Sequence, residues 1–122
     1  MKLSMWNTRI RKYDKPLVVE FWAAWCGPCN IMAPALSQVK AEYAGKVELL
    51  KINADDENEL MRELMIYSIP TVMVYNQGDL LSRKTGAMSI DQLRKLFQIA
   101  VDGKPGTVGL SSPARILRLI VG

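Results

Sequence analysis

The chain has 122 residues, of which 49% are hydrophobic and 23% are charged, a composition typical of a globular domain that needs no disulfide to support its core. Its net charge of +4 arises at the two ends, because residues 1–16 carry +4 and residues 104–122 carry +3, whereas residues 17–103 carry −3. An acidic central region argues against nucleic acid as a partner, and no apolar run is long enough to span a membrane.

The first sixteen residues are basic and lack the apolar run of a secretory signal, so we expect a cytoplasmic protein whose thiols are kept reduced. Residues 17–23, L-V-V-E-F-W-A, are mostly apolar and rich in β-branched and aromatic side chains, which predicts a strand buried on both faces. Glu20 stands in the middle of this strand. A carboxylate within an apolar strand indicates a functional role.

Helical and extended patterns alternate along the rest of the chain. A helix is predicted from Gly27 to Gly45, and its inward stripe comprises Ile31, Met32, Ala35, Leu36, Val39 and Tyr43. Residues 47–53 predict a second strand, and residues 55–65 a second helix with an acidic start. A hairpin of residues 71–75 and 80–85 follows, and then a last helix that opens with the capping box of Ser89 and Gln92.

This order predicts an α/β fold, a mixed sheet flanked by helices. We divide the chain into a domain of residues 1–103, with its core in 17–103 and a short basic segment in 1–16, and an extension of residues 104–122. Ser112 and Pro113 indicate the start of a short helix in this extension. The extension could cover its own domain, be disordered or contact a partner, or lie on a membrane surface.

Both cysteines of the chain lie in W-A-A-W-C-G-P-C, residues 22–29. As a structural staple, a four-residue loop would contribute only about 2 kcal/mol, and a cytosolic protein would not keep the bond. A zinc site needs about four ligands, whereas this chain has two cysteines and no histidine, so we expect no metal. The remaining alternative is a redox pair at a strand-to-helix junction, where the helix N-terminus stabilises a thiolate.

In that alternative Cys26, expected to be the more exposed cysteine, attacks the disulfide of a partner, and Cys29 resolves the mixed disulfide. The residues now identify a family. W-C-G-P-C at 25–29, after V-E-F-W-A and followed by I-P-T at 69–71 and a later K-T-G, strongly resembles thioredoxin, and the resemblance covers about residues 17–101. It implies the thioredoxin fold and a protein-disulfide reductase that serves electron transport and cell redox homeostasis.

The resemblance also implies partners and site residues. The partners are protein disulfides and an NADPH-dependent flavoprotein reductase; the chain itself carries no cofactor and is expected to be a monomer. Pro70 is expected to be cis and to face the cysteines, and the backbone of Ile69 to pair with the substrate. The other residues expected to contact substrate are Trp25, Gly27, Pro28 and Gly86.

Glu20 matches the position at which the family usually has a buried aspartate that takes the proton of the resolving thiol, and Lys51 matches a lysine that tunes this acid. Asn30 replaces a basic residue that commonly follows the second cysteine, and the N-terminal segment is short enough that the family's first strand and helix are expected to be truncated or absent. Two alternatives stay open: a binding module whose affinity depends on redox state, and a dedicated reductant of a single partner.

Overall fold

The computed structural model describes residues 1–104. Its elements, in chain order, are α1 (Leu3–Lys12), β1 (Leu17–Trp22), α2 (Gly27–Glu42), β2 (Glu48–Asn53), a single 3₁₀ turn (Ala54–Asp56), α3 (Asn58–Glu63), β3 (Thr71–Asn76), β4 (Asp79–Thr85) and α4 (Ile90–Asp102). The predicted helix at Ser112 and Pro113 lies outside the described residues.

The four strands form one mixed sheet in the order β2-β1-β3-β4. Strand β1 runs parallel to β2 and antiparallel to β3, and β3 forms an antiparallel hairpin with β4. Both faces of the sheet are covered, because the side chains of each strand alternate between two apolar layers. One layer packs Val19 and Phe21 of β1 against α1 and α3, and the other packs Val18 against α2 and α4. The mixed sheet with flanking helices is therefore confirmed.

The N-terminal segment corrects the predicted order of elements. The family's first strand and helix were expected to be truncated or absent in residues 1–16. No strand precedes β1 among the described residues, in agreement with that expectation, but residues 3–12 form a ten-residue helix, α1. Trp6 and Ile10 are buried in the layer that α1 covers, and Leu3 packs against it. Their spacing of three and four residues is the helical signal that the basic composition concealed.

Helix α2 also departs from its predicted inward stripe. Ile31 is 79% exposed, whereas Cys29, Met32, Leu36 and Val39 are buried. These four residues follow one another at intervals of three and four, so they occupy a single helix face, and Ile31 falls outside it. The face begins with Cys29, which anchors the first turn of α2 in the interior.

The last helix forms as predicted. Ser89 accepts a hydrogen bond from the N–H of Gln92, and the Gln92 side chain accepts one from the N–H of Ser89, which completes the capping box. Gly103 ends α4 in the left-handed conformation.

Candidate functional site

The cysteine pair lies where β1 ends and α2 begins. Cys26 is the residue that caps the N-terminus of α2, and Cys29 lies in its first turn, with Pro28 between them at a position where a missing N–H is tolerated. The two cysteines are joined by a disulfide, with their Cα atoms 5.3 Å apart. The strand and the helix thus bring the two sulfurs into bonding distance.

Backbone groups surround the sulfur of Cys26. The N–H of Cys29 donates to Cys26 Sγ at 3.2 Å, and the carbonyl oxygen of Ile69 lies 3.7 Å from the same sulfur. The expectation that Cys26 is the more exposed cysteine is wrong, because each residue is only 3% exposed. The segment of Ile69 and Pro70 covers Cys26 from a distant part of the chain. The two cysteines differ in position instead: Cys26 lines the groove beside the site, and Cys29 does not.

The segment that faces the cysteines contains a cis peptide bond between Ile69 and Pro70, as expected. The Oγ1 of Thr71 donates to the carbonyl oxygen of Ser68 at 2.7 Å and lies 3.1 Å from the hydroxyl of Thr85. These contacts fix the loop at the start of β3.

Gly86 lies next to this loop, and its N–H donates to the carbonyl oxygen of Pro70 at 2.8 Å. It has a φ of +99°, a conformation that side chains strongly disfavour, and the space beside it is open. A glycine is therefore required here by the backbone, and it leaves room for another chain to approach.

A groove of about 430 Å³ runs along the cysteine site. Its lining includes the predicted substrate-contacting residues Trp25, Gly27, Pro28 and Ile69, and also four residues from the 3₁₀ turn, α3 and the loop before β3: Ala54, Asp55, Asn58 and Tyr67. Trp25 and Tyr67 are 69% and 85% exposed, so two large aromatic rings border the same groove in contact with water. The volume of the groove lies within the range of ligand-binding clefts, and its lining is mostly apolar.

Asp55 is a site residue that the sequence did not reveal. Its carboxylate accepts a hydrogen bond from Nε1 of Trp25 at 3.0 Å, and its own N–H donates to the side chain of Asn53. The sequence pattern placed Asp55 in the acidic start of a helix, and only the tertiary fold brings it beside a tryptophan thirty residues earlier. The bond holds the indole ring in one orientation at the edge of the groove.

Glu20 and Lys51 lie behind the cysteines rather than in the groove. They are directly paired in the register of β1 and β2, and Glu20 shares its face of β1 with Val18, which packs in the layer of α2 and α4. Glu20 is 1% exposed, and its Oε1 has no hydrogen-bond partner. The Nζ of Lys51 lies 3.8 Å from that oxygen and 5.0 Å from the centre of the Trp22 ring.

Burial raises the pKa of the Glu20 carboxyl above its usual range, and the charge of Lys51 opposes this rise. Lys51 is too exposed for its attraction to compensate fully, since its side chain has 45% of its surface in contact with water. Glu20 is thus a buried carboxyl that can hold a proton closer to neutral pH than an ordinary glutamate.

The chemistry available here is that of two thiols and one carboxyl. In residues 1–104 no cluster of three metal-ligating side chains occurs, and no helix has both the length and the apolar character to cross a membrane. A dithiol beside a groove can exchange with a disulfide that is carried on another chain.

Comparison with known proteins agrees with this chemistry. Residues 1–98 match the family model described as Thioredoxin. A thioredoxin of Pseudomonas aeruginosa is 38% identical over 84 residues, which cover 69% of this chain and 78% of the relative. The chloroplastic thioredoxin M4 of Arabidopsis thaliana is 36% identical over 95 residues, which cover 78% of this chain and 49% of that protein. Among solved structures, oxidized mitochondrial thioredoxin 3 of Saccharomyces cerevisiae aligns with a TM-score of 0.68 and 28% identity, over 80% of this chain and 89% of that one.

Proposed function

Given that the chain belongs to the thioredoxin family and is a thiol-disulfide oxidoreductase that reduces protein disulfides, we propose that Cys26 is its nucleophile and Cys29 its resolving thiol. The observation that carries this assignment is the N–H of Cys29 directed at Cys26 Sγ at 3.2 Å, at the N-terminus of a sixteen-residue helix. A hydrogen bond to a charged acceptor contributes roughly 1.5–3 kcal/mol, and the helix dipole adds to it. Both effects favour the thiolate on Cys26.

The reaction proceeds in two exchanges. The Cys26 thiolate attacks one sulfur of a substrate disulfide, so that a mixed disulfide forms and the other substrate sulfur leaves as a thiolate. Cys29 then loses its proton, and its thiolate attacks Cys26 Sγ, which releases the second substrate sulfur. Two electrons have passed to the substrate, and the cysteine pair is left as the disulfide that the structure contains.

We assign the acceptance of the Cys29 proton to Glu20. Its burial and its Oε1, which accepts no hydrogen bond, support this role, because burial raises the pKa of the carboxyl and so makes it a better proton acceptor than an ordinary glutamate. The Nζ of Lys51 lies 3.8 Å from this carboxyl, and its positive charge limits how far burial raises the pKa of Glu20. Lys51 therefore acts on the reaction only through Glu20.

The substrate chain is proposed to lie in the groove. The backbone of Ile69 pairs with the substrate on one side of Cys26, Gly86 gives the substrate backbone room, and Trp25, Gly27 and Pro28 form the opposite wall. Extended peptides bind in this way because backbone hydrogen bonds provide affinity without depending on sequence.

We propose that the disulfide is returned to the dithiol by an NADPH-dependent flavoprotein reductase, that the protein acts as a monomer in electron transport, and that it operates in the cytoplasm. A reductive role supports this compartment, since a dithiol reductant needs surroundings that keep it supplied with electrons.

The test is a trapping experiment on Cys29→Ser, with Cys26→Ser as the matched control. The Cys29→Ser protein should form a stable mixed disulfide with oxidised insulin, and the adduct should disappear with dithiothreitol. Cys26→Ser should form no adduct, and neither variant should accelerate insulin reduction by dithiothreitol. An adduct formed by Cys26→Ser instead of Cys29→Ser would reverse the two assignments, and equal turnover by all three proteins would contradict the mechanism.

A further inference from the structure

Among the described residues that line the groove beside Cys26, Asp55 is the one that carries a charge. Its side chain is exposed, and it forms no ion pair with another residue of 1–104. The inference below rests on the proposed function, in which this groove holds the substrate chain. A carboxylate in a groove that is otherwise uncharged favours a substrate that brings a cation to it.

The Asp55 carboxylate is held in one position before any substrate binds. Nε1 of Trp25 lies 3.1 Å and 3.0 Å from its two oxygens, and the backbone N–H of Asp55 donates to Oδ1 of Asn53 at 2.9 Å. A carboxylate can accept about four hydrogen bonds, so the single indole N–H leaves most of this capacity free. A fixed acceptor also loses little conformational freedom when a ligand binds to it.

The two exposed aromatic rings of the groove, Trp25 and Tyr67, can contact the same cation. Trp25 uses the edge of its ring for the bond to Asp55, so that bond does not occupy either face of the indole. A cation that lies over the face of a tryptophan or tyrosine ring is attracted by the electron density of the ring. The groove thus combines one carboxylate with two aromatic surfaces.

The loop that carries Tyr67 is anchored on both sides. On one side, the guanidinium of Arg83 donates to the carbonyl oxygen of Leu64 at 2.7 Å and to that of Met65. On the other side, Oγ1 of Thr71 donates to the carbonyl oxygen of Ser68. Tyr67 is therefore exposed on a loop whose backbone is fixed.

The place of Tyr67 in the loop indicates which substrate residue it meets. Tyr67 lies two residues before Ile69, whose backbone is proposed to pair with the substrate. In an extended chain, side chains two residues apart point to the same side and lie about 7 Å from each other. A substrate side chain two positions from the attacked cysteine therefore points into the groove, as the cysteine does, and lies near Tyr67.

We propose that the groove selects substrates that carry an arginine two residues from the cysteine that Cys26 attacks. The guanidinium stacks on Trp25 and Tyr67 and pairs with the carboxylate of Asp55. Arginine fits this combination better than lysine, because its planar group stacks on aromatic rings, binds a carboxylate through two hydrogen bonds and is more weakly hydrated. Asp55, Trp25 and Tyr67 are thus specificity-determining residues for the reduction.

The test compares synthetic disulfide peptides as substrates of the full, pre-reduced chain. Each peptide is a disulfide-linked homodimer of a glycine chain with one cysteine, which is flanked two positions away on both sides by arginine, by the uncharged isostere citrulline or by leucine. The second-order rate constant of reduction is measured by tryptophan fluorescence at about 0.15 M salt, where charges more than about 8 Å apart are largely screened. We expect the arginine peptide to react about five- to tenfold faster than the citrulline peptide.

Three variants separate the contributions to this preference. Asp55→Asn removes the charge but keeps an oxygen that can accept the bond from Nε1 of Trp25, and it should reduce the arginine preference to less than about twofold. Tyr67→Leu keeps an apolar side chain without an aromatic face and should lower the preference about two- to threefold. The matched control, Asp56→Asn, removes the same charge from an exposed neighbour outside the groove lining and should keep the preference of the wild type.

Equal rate constants for the arginine and citrulline peptides in the wild type would overturn the proposal, as would a faster reaction of the leucine peptide. It would also be overturned by an unchanged preference in Asp55→Asn, or by an equal loss in Asp56→Asn, which would assign the preference to the overall acidity of the domain. Failure of the proposed function itself has a different result: the wild type and Cys26→Ser would then reduce the citrulline peptide at the same rate.

Discussion

The buried carboxyl of Glu20 lowers the stability of the fold but is proposed to accept a proton during the reaction. Replacing Glu20 with methionine should therefore change stability and activity in opposite directions. Methionine has a similar length and no charge, so Glu20→Met keeps the packing of β1 and removes the buried carboxyl. We expect the oxidised variant to be more stable than the oxidised wild type at pH 8, although its reductase activity falls.

The magnitude follows from three contributions at this site. Removing a carboxylate from water costs several kcal/mol, and leaving Oε1 without a hydrogen bond adds about 1–3 kcal/mol. Against them, Lys51 at 3.8 Å supplies about 4 kcal/mol at an effective dielectric constant of about 20, a value that water reduces because the lysine is half exposed. The difference favours Glu20→Met by about 1–3 kcal/mol, which corresponds to a rise in Tm of roughly 3–10 °C for a chain of this size.

The direction in which pH changes the free energy of unfolding follows from the raised pKa of Glu20. Below the ordinary glutamate pKa of 4.5, Glu20 is protonated in both the folded and the unfolded chain, so its charge contributes nothing. As the pH rises above 4.5, the unfolded chain releases the proton first, because burial raises the pKa of Glu20 in the folded chain, and the stability of the wild type therefore decreases. The advantage of Glu20→Met should be small near pH 4 and reach its maximum above the raised pKa.

The assay is urea unfolding of the oxidised proteins between pH 4 and pH 8, followed by tryptophan fluorescence. Glu63→Met, at an exposed position of α3, is the matched control and should stay within about 0.5 kcal/mol of the wild type at every pH. The reasoning is refuted if Glu20→Met is no more stable than the wild type at pH 8, or if its advantage does not change with pH. In parallel, stopped-flow kinetics should show that the release of substrate from the mixed disulfide slows while its formation does not.

Three further substitutions test the site and the fold. Trp25→Ala removes an exposed ring and its bond to Asp55, so we expect kcat/KM for insulin to fall about tenfold while the free energy of unfolding changes by less than about 1 kcal/mol. Gly86→Ala forces a side chain into a φ of +99° and should destabilise the protein by about 1–3 kcal/mol in urea unfolding; Gly27→Ala, at an ordinary φ with open space around it, should have a much smaller effect. Ser89→Ala removes the cap of α4 and should cost about 1 kcal/mol by the same measurement, whereas an unchanged midpoint would show that the helix does not depend on its cap.

Local patterns predicted most of the elements. The strand of residues 17–23, the hairpin around residues 76–79 and the capping box of Ser89 all appear with boundaries shifted by a few residues at most. Each of these features depends on residues that are close in the sequence. The strand is recognised by its apolar β-branched and aromatic residues, the hairpin by the composition of its turn, and the capping box by two side chains three residues apart. Helix α1 was missed because its two buried residues, Trp6 and Ile10, are interspersed with polar and basic side chains and form only a narrow apolar stripe.

The sequence by itself determined the chemistry of the site, since two cysteines at a strand-to-helix junction and one acidic residue in an apolar strand are legible without any structure. The tertiary structure decided what depends on distant contacts: the burial of Cys26 beneath Ile69, the bond between Trp25 and Asp55, and the distance between Glu20 and Lys51. The physical reason is that a residue's type and its near neighbours fix its reactivity and its backbone preference. Its solvation and its electrostatic surroundings, by contrast, come from segments that folding brings to it from elsewhere in the chain.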